Sequence, residues 1–247
     1  MKVINLLSGG AAQGLVGQLQ QRFATEQGCA VEGTFGAVGA MKDKLLAGDP
    51  CDLAILTEAL ITDLATQGQV VAASATALGT VKTGIAVKGG QPLPAVGSAK
   101  ALTDLLLSAQ GIYFPDPQKA TAGIHFMKVL RSLGLDQRLA SRLRTFPNGA
   151  AAMRELAAAK GEGLVGCTQV TEILFAPGVQ LAGLLPREFE LATVYVAAVC
   201  TRAAEPQAAA ALIRLLASAE AGPLRAAGGF ENSLTAPTGY ALPPEGA

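Results

Sequence analysis

The sequence predicts an α/β fold in which parallel strands are covered by helices on both faces. Strand-like and helix-like segments alternate along the chain with short connections, which is the pattern of successive βαβ units. Half of the 247 residues are apolar and only 15% are charged, so the chain has ample material for a buried core. No Ser/Gly-rich linker divides the chain, and no internal repeat of fixed period occurs.

The N-terminal part of the chain carries the clearest alternation. An apolar strand at Val3–Leu7 leads into a helix at Ala12–Gln27, in which Leu15, Leu19 and Phe23 recur at helical spacing on one face. Further strands are predicted at Ala30–Phe35 and Leu53–Leu56, and further helices at Met41–Ala47 and Ala59–Gln67.

The remainder of the chain continues the same pattern. Strands are predicted at Lys82–Val87, Gly111–Phe114, Leu164–Cys167 and Thr193–Cys200. Helices are predicted after the capping residue Ser98 and at Ile124–Leu133, Asp136–Arg142, Ala150–Ala159 and Glu205–Ser218. A long loop, Pro115–Gly123, is expected to separate one strand from the helix that follows it.

The composition excludes several classes of function. Nineteen basic residues balance nineteen acidic ones, so the chain has no basic excess for nucleic acid or for a membrane surface. A single histidine rules out a zinc site with several His ligands, and the four cysteines form no C-x-x-C pair. We therefore predict no metal and no cofactor. No apolar run approaches the roughly 20 residues of a membrane span.

The start of the sequence bears on location. Met1-Lys2 leads directly into strand-like residues, without the apolar run of roughly 7–15 residues that a secretory signal contains. As written, the sequence predicts a cytoplasmic protein; if a leader has been removed, it predicts a periplasmic one. An ABC permease is expected as a partner only in the second case.

Three loops follow the first three predicted strands, and all consist of small or hydroxyl residues before a helix. These loops are Ser8-Gly9-Gly10, Gly36-Ala37-Val38-Gly39 and Thr57-Glu58. Free N–H groups and the positive end of the helix dipole meet at such places and bind anions without a charged side chain. Glycine there would let an anion approach the backbone, although glycine also serves tight turns and close packing.

The same loops do not fit other known motifs. The first loop matches neither G-x-x-x-x-G-K-[ST] nor G-x-G-x-x-G, and Ser8 has no G-x-S-x-G context. The sequence therefore gives no support for a P-loop, a dinucleotide site or a hydrolase nucleophile elbow. A small anionic ligand is the partner that the loops favour.

Five segments together resemble one family. They are LLSGGAAQGLVGQLQQRF, FGAVGAMKDKLLAGDPCDLAILT, YFPDPQKATAGIHFMKVL, GEGLVGCTQVTEIL and ELATVYVAAV. In order and spacing they resemble the molybdate-binding-type periplasmic solute-binding proteins, and more closely the organic-acid branch of that family, which includes proteins similar to aconitate isomerase. The resemblance covers roughly residues 3 to 230, and GDPCDLAIL is its most characteristic part.

The resemblance implies a two-lobed type II periplasmic-binding-protein fold, a Venus flytrap whose lobes each contain a mainly parallel sheet flanked by helices. One lobe would comprise residues 1–81 and 194–247, the other residues 82–193, with the ligand in the cleft between them. By the same resemblance, the ligand-binding residues are Ser8, Gly9, Gly10, Ala37, Val38, Thr57, Thr121, Ala122, Asn148 and Gln169.

The resemblance also bears on the kind of anion. Molybdate binders of this family place a serine in each of the first two loops, and a tyrosine after a later strand. Val38 stands at the second serine position and Gln169 at the tyrosine position, which favours an organic carboxylate over molybdate. We therefore expect a solute-binding protein. The alternative is an isomerase that moves a C=C bond in a di- or tricarboxylate, with Glu58, His125 or Lys119 as the base.

Overall fold

The computed structural model describes residues 2–231. The strands in this part are β1 (Lys2–Gly9), β2 (Cys29–Gly36), β3 (Leu53–Thr57), β4 (Thr76–Lys88), β5 (Gly111–Pro115), β6 (Leu143–Phe146), β7 (Leu164–Gln169), β8 (Val179–Leu184) and β9 (Ala192–Val199). The α-helices are α1 (Gln13–Gln27), α2 (Val38–Ala47), α3 (Glu58–Thr66), α4 (Ala99–Ser108), α5 (Thr121–Ser132), α6 (Gly149–Ala158), α7 (Val170–Phe175), α8 (Pro206–Ala217) and α9 (Gly222–Ala227).

The strands form one continuous curled sheet with the order β2-β1-β3-β9-β4-β7-β5-β6, and β8 pairs with β4 outside this path. The pairs β1–β2, β1–β3, β5–β6 and β5–β7 are parallel. Every antiparallel pair involves β4 or β9, the strands at the centre of the order. The predicted α/β class is confirmed, with helices flanking the sheet.

Two large groups of buried apolar side chains pack against this sheet. The first core joins β1, β3 and β9 to α1 and α8, and includes Phe23 and Leu212. The second core joins β5 and β7 to α4 and α5, and includes Phe114 and Phe126. Strand β4 serves both cores, with Val81 in the first and Ile85 in the second. The predicted lobe boundaries at 81/82 and 193/194 stay a prediction, and residues 232–247 of the predicted first lobe lie outside the described residues.

The GDPCD segment has a structural role that its sequence did not reveal. The buried carboxylate of Asp52 accepts hydrogen bonds from the backbone N–H of Asn5 and from those of Ala204 and Glu205. It therefore fastens β1 to the segment that enters α8. Because a buried carboxylate is costly unless it is fully hydrogen-bonded, this aspartate belongs to the scaffold of the first core.

Several elements differ from the sequence-based prediction. Helix α5 begins at Thr121 rather than Ile124, because Asp116 accepts hydrogen bonds from the N–H groups of Gln118 and Lys119 and so shortens the preceding loop. Strands β6 and β8 were not predicted, and β4 begins six residues earlier than expected. A 3₁₀ turn at Ala140–Arg142 stands where a helix was predicted.

Candidate functional site

Four helix starts converge on one cavity. Helices α2, α5, α6 and α7 follow the N-cap residues Ala37, Ala120, Asn148 and Gln169, and all four N-cap residues line the cavity. Its empty volume is about 270 Å³, part of it open to solvent. We call it the inner cavity. Its complete lining is Gly10, Gly36, Ala37, Val38, Pro115, Ala120, Thr121, Ala122, Asn148, Gly149, Gln169, Glu172 and Tyr195.

The helix starts leave backbone donors available to a ligand. The N-caps Ala37 and Ala120 carry no side-chain acceptor, so they cannot satisfy the first N–H groups of α2 and α5. Asn148 differs, because its side chain accepts from the N–H of Ala151. The positive ends of these helix dipoles therefore meet at a cavity with uncapped N–H groups, an arrangement that stabilises an anion.

Gln169 brings a buried amide group without hydrogen-bond partners to the cavity. Its side chain is only 2% exposed, and both Oε1 and Nε2 lack a hydrogen-bond partner. It is the N-cap of α7, yet it makes no capping bond. A buried amide without partners costs about 1–3 kcal/mol. A ligand oxygen that accepts from Nε2 would recover this cost.

Glu172 brings a carboxyl group to the same cavity. It lies in the first turn of α7, is 6% exposed, and its Oε2 accepts a hydrogen bond of 2.5 Å from the Thr168 hydroxyl. Burial raises the pKa of Glu172, while the Thr168 hydroxyl and the N–H groups of Ala150, Gln169 and Gly149 oppose the rise. The raised pKa means that burial is the stronger influence and favours the neutral acid.

Two glycines from separate loops make room for this carboxyl group. A Cβ atom on Gly10 would lie 2.2 Å from Oε1 of Glu172, and one on Gly149 would lie 1.9 Å from Oε2. Neither position could hold a side chain without moving the carboxyl group. The sequence analysis assigned the glycine at position 10 to ligand access, but in the structure it first clears space for Glu172.

Tyr195 closes the cavity from β9. The residue is 2% exposed, and its ring packs edge-on against Phe230. Burial raises the pKa of Tyr195 above its usual range, and the nearby charge of Glu172 adds to the rise. Tyr195 therefore remains neutral and presents its apolar ring beside Gly9.

A second, more open hollow adjoins the inner cavity and shares Val38 and Thr121 with it. We call it the outer groove; its empty volume is about 1080 Å³. Lys119, His125 and Lys128 line it. Lys119 is paired with Asp43 at 3.2 Å, and His125 Nε2 lies 2.8 Å from the carbonyl oxygen of Phe189. Because a carbonyl only accepts, Nε2 of this histidine is the protonated nitrogen.

The structure brings most of the predicted ligand-binding residues together. Those that line the inner cavity are Gly10, Ala37, Val38, Thr121, Ala122, Asn148 and Gln169. Thr57 lines the outer groove instead. Ser8 is fully buried and its hydroxyl donates to the carbonyl of Gly9, while Gly9 packs beside Val38 and Tyr195; neither lines the inner cavity.

The residues suggested as a base lie apart from the inner cavity. Lys119 and His125 belong to the outer groove, and Glu58 is the first residue of α3 and lines neither hollow. Their catalytic roles stay predictions. Lys82 pairs with Glu190 and Glu231.

Sequence reasoning did not select Glu172 or Gly149, and it left the position of Tyr195 open. One signal was available, since Glu172 follows Gln169 by three residues at the start of a helix after a ligand-type strand. An acidic residue in a first helical turn is usually a solvated partner of the helix dipole, so the sequence pattern alone could not set it apart.

None of the helices within residues 2–231 combines the length and hydropathy that a membrane crossing requires. Within the same residues, no group of three or more His, Cys, Asp or Glu side chains is arranged to hold a metal ion.

Comparison with known proteins identifies the family. The family described as bacterial extracellular solute-binding protein matches residues 4–231. The chain belongs to this family. The periplasmic molybdate-binding protein of Azotobacter vinelandii has a similar structure, with a TM-score of 0.77 and 20% identity over 93% of this chain and 99% of that one. The fold is thus that of the periplasmic binding proteins.

Two further relatives carry organic anions in their names. An aconitate isomerase from Pseudomonas sp is 28% identical over 183 residues, which is 74% of this chain and 68% of the relative. The L-phospholactate-bound structure of PEB3 has a TM-score of 0.67 and 16% identity, and covers 93% of this chain and 100% of that one. Both matches, like the resemblance seen in the sequence, connect this solute-binding family with proteins whose names refer to small organic anions.

Proposed function

We propose that this chain binds a small organic anion and holds one of its carboxylate groups in the inner cavity. The observation that carries the proposal is the buried, unpartnered side chain of Gln169 in a cavity where helices start without side-chain caps. Together they supply an amide donor and backbone N–H groups, and a carboxylate has the two acceptor oxygens to engage both.

The character of the two hollows favours a carboxylate over a tetrahedral oxyanion. On the first-core side the inner cavity presents the apolar side chains of Ala37 and Val38, so Tyr195 carries the one side-chain hydroxyl among the lining residues there. The adjoining outer groove gives space for the rest of an organic molecule, and Lys128 is exposed there to meet a second negative group. Molybdate or sulfate would leave this groove unused.

The test is thermal unfolding of the purified chain against molybdate, tungstate, sulfate, phosphate and a set of di- and tricarboxylates that includes both aconitate isomers. A ligand present at 100 times its Kd stabilises the folded state by about 2.7 kcal/mol, which gives a clear rise in Tm. We expect carboxylates to raise Tm. A rise with molybdate or tungstate alone would overturn the proposal.

The partners that follow from this proposal are a small anion and, for an exported form of the chain, an ABC permease that receives the ligand. Nucleic acid is not expected as a partner, because the charges of the chain balance. A pull-down of the purified chain with total RNA and with DNA checks this point, and retention of either at physiological salt would contradict it.

A second candidate function is isomerisation of an unsaturated carboxylate. It is favoured by the relative named aconitate isomerase and by Glu172, an acid–base group inside the inner cavity. Incubation of cis- and trans-aconitate with the protein in deuterated water, followed by NMR, tests it. Deuterium incorporation together with interconversion of the isomers would establish catalysis. Unchanged spectra would contradict the isomerase function and leave ligand binding as the remaining function.

A further inference from the structure

We propose that Glu172 makes the inner cavity selective for an anion that enters together with one proton, shared between the Glu172 carboxyl group and an oxygen of the ligand. This inference rests on the proposed function and deepens it. The inference states in which protonation state the ligand and Glu172 form their complex, and it assigns Glu172 a role in ligand selectivity.

The geometry fixes the carboxyl group in the cavity. Glu172 is 6% exposed and lines the cavity with Gln169, and its Oε2 is held by the hydroxyl of Thr168 at 2.5 Å. Gly10 and Gly149 approach the two carboxyl oxygens so closely that neither could carry a Cβ. Gly10 and Gly149 therefore leave the space that the carboxyl group occupies in the cavity, and a ligand that enters meets it there.

Within residues 2–231, no cationic side chain lines the inner cavity to neutralise the pair of negative groups that would result, and the lysines of the outer groove lie outside it. Among residues 2–231, no lysine, arginine, histidine or aspartate lines the inner cavity, and Tyr195 on β9 is the other titratable side chain there. The charged or titratable residues of the elements packed against α7 are otherwise Arg22 and Glu26 of α1, Lys82 and Lys88 of β4, Arg154 and Glu155 of α6, and Cys167 of β7.

These groups are engaged or exposed elsewhere. Arg22 pairs with Glu26 and Glu220, and Lys82 pairs with Glu190 and Glu231. The Lys88 ammonium group donates to the carbonyl oxygen of Ala159. The side chains of Arg154 and Glu155 are exposed to solvent. Cys167 is buried, and burial raises the pKa of its thiol. The Thr168 hydroxyl and nearby backbone N–H groups already stabilise an ionised Glu172, so the remaining helix N-termini alone would have to offset its repulsion of an ionised ligand carboxylate at short range, which is unfavourable.

One shared proton removes this conflict. It can reside on Glu172, whose O–H then donates to a ligand oxygen, or on the ligand, whose O–H then donates to the Glu172 carboxylate. Burial raises the pKa of Glu172 and so lowers the cost of the first arrangement. At a pH above the pKa of Glu172 in the free protein, where that carboxyl group is ionised, binding of a fully ionised carboxylate therefore takes up one proton from solution; below that pKa, Glu172 already carries the proton.

The test is calorimetric titration of the wild-type chain with cis-aconitate, citrate and succinate in buffers of different ionisation enthalpy. We expect uptake that approaches one proton for each anion bound as the pH is raised, over a series of pH values at which the probe is fully ionised and which extends above the pKa of Glu172. By linkage, Kd then rises about tenfold for each pH unit above the pKa of Glu172. Binding with no proton uptake and with a Kd independent of pH would overturn the inference while leaving the proposed function intact.

The variant Glu172→Gln identifies the group that shares the proton. Its amide keeps the shape and cannot titrate, so we expect Kd to lose its pH dependence. Glu155→Gln, on the exposed face of α6, is the matched control and should behave as the wild type. Persistence of the pH dependence in Glu172→Gln would overturn the inference. If Glu172→Gln does not fold, the number of protons that the wild-type chain takes up for each anion bound tests the inference instead. Failure of all three probes to bind at any pH would instead contradict the proposed function.

Discussion

The two sides of the inner cavity are built from different materials. The side that belongs to the first core presents backbone and apolar groups from Gly10, Gly36, Ala37 and Val38, and Tyr195 adds an aromatic ring with a single hydroxyl group. The opposite side presents polar side chains, from Thr121, Asn148, Gln169 and Glu172. Both sides contribute helix N-termini, through α2 on the first and through α5 and α6 on the second.

This difference separates two tasks. Backbone N–H groups at a helix start attract any anion of suitable size, because they carry only partial charge and no particular shape. Side-chain amides and carboxyl groups distinguish one anion from another, because each demands a particular donor or acceptor. The first side therefore provides affinity for negative charge, and the second side provides the choice of ligand.

The largest effect is expected from Gln169→Met, which removes the polar group with no partner but keeps its length. A hydrogen bond to a charged group is worth about 1.5–3 kcal/mol, so binding of the best carboxylate should weaken by roughly 10- to 100-fold. The unliganded chain should become more stable, because a buried unsatisfied amide is lost. Calorimetry and thermal unfolding measure the two changes.

Gln137→Met is the control, since Gln137 is exposed in the second-core region and should tolerate the change with neither effect. If Gln169→Met binds the carboxylate as tightly as the wild type does, the polar side of the inner cavity does not select the ligand. That result would contradict the division of roles between the two sides.

The next effect concerns the glycines that hold the polar side in place. In Gly149→Ala the new Cβ would lie 1.9 Å from Glu172 Oε2 and 2.1 Å from Thr168 Oγ1, so it should displace the hydrogen-bonded pair. Overpacking of this kind costs about 1–3 kcal/mol of unfolding free energy. Chemical denaturation measures the loss.

Gly17→Ala is the matched control in α1, where a Cβ would meet nothing within 4 Å. Because alanine is the better helix former, this variant should gain about 0.5–1 kcal/mol. Equal stability of the two alanine variants would show that Glu172 moves freely.

The smallest effect is expected from giving the apolar side a hydroxyl group. Val38→Ser adds a donor at the start of α2. A hydrogen bond to a charged group is worth about 1.5–3 kcal/mol, and ordering of the serine side chain offsets part of it, so we expect a net gain of about 1 kcal/mol, or roughly fivefold in affinity for sulfate or molybdate. Val38→Ala opens the same space without the hydroxyl and should give no such gain. Titration of both variants with molybdate checks this, and a gain in Val38→Ala would assign the effect to space alone.

The elements near the start of the chain were predicted well, and those near the centre less so. Strands β1 and β3 and helix α1 have apolar patterns that reflect burial in a single core, so the local sequence was sufficient. Strand β4 begins with Thr76 and includes Gly79 at φ +142°, so its first half has little strand-like pattern and owes its conformation to pairing with β9. Strand β8 likewise exists through its pairing with β4.

The sequence by itself determined the alternation of strands and helices, the balance of charge and the small-residue loops that precede α1 and α2, because these depend on local pattern and composition. Only the tertiary structure decided that Gln169 would be left without a partner and that Glu172 would enter the cavity between Gly10 and Gly149. The physical reason is that hydrogen-bond satisfaction and burial arise from groups far apart in the chain. Position 10 and position 172 meet only after the sheet has formed, and a chain read in order shows a glycine and a glutamate with nothing to connect them.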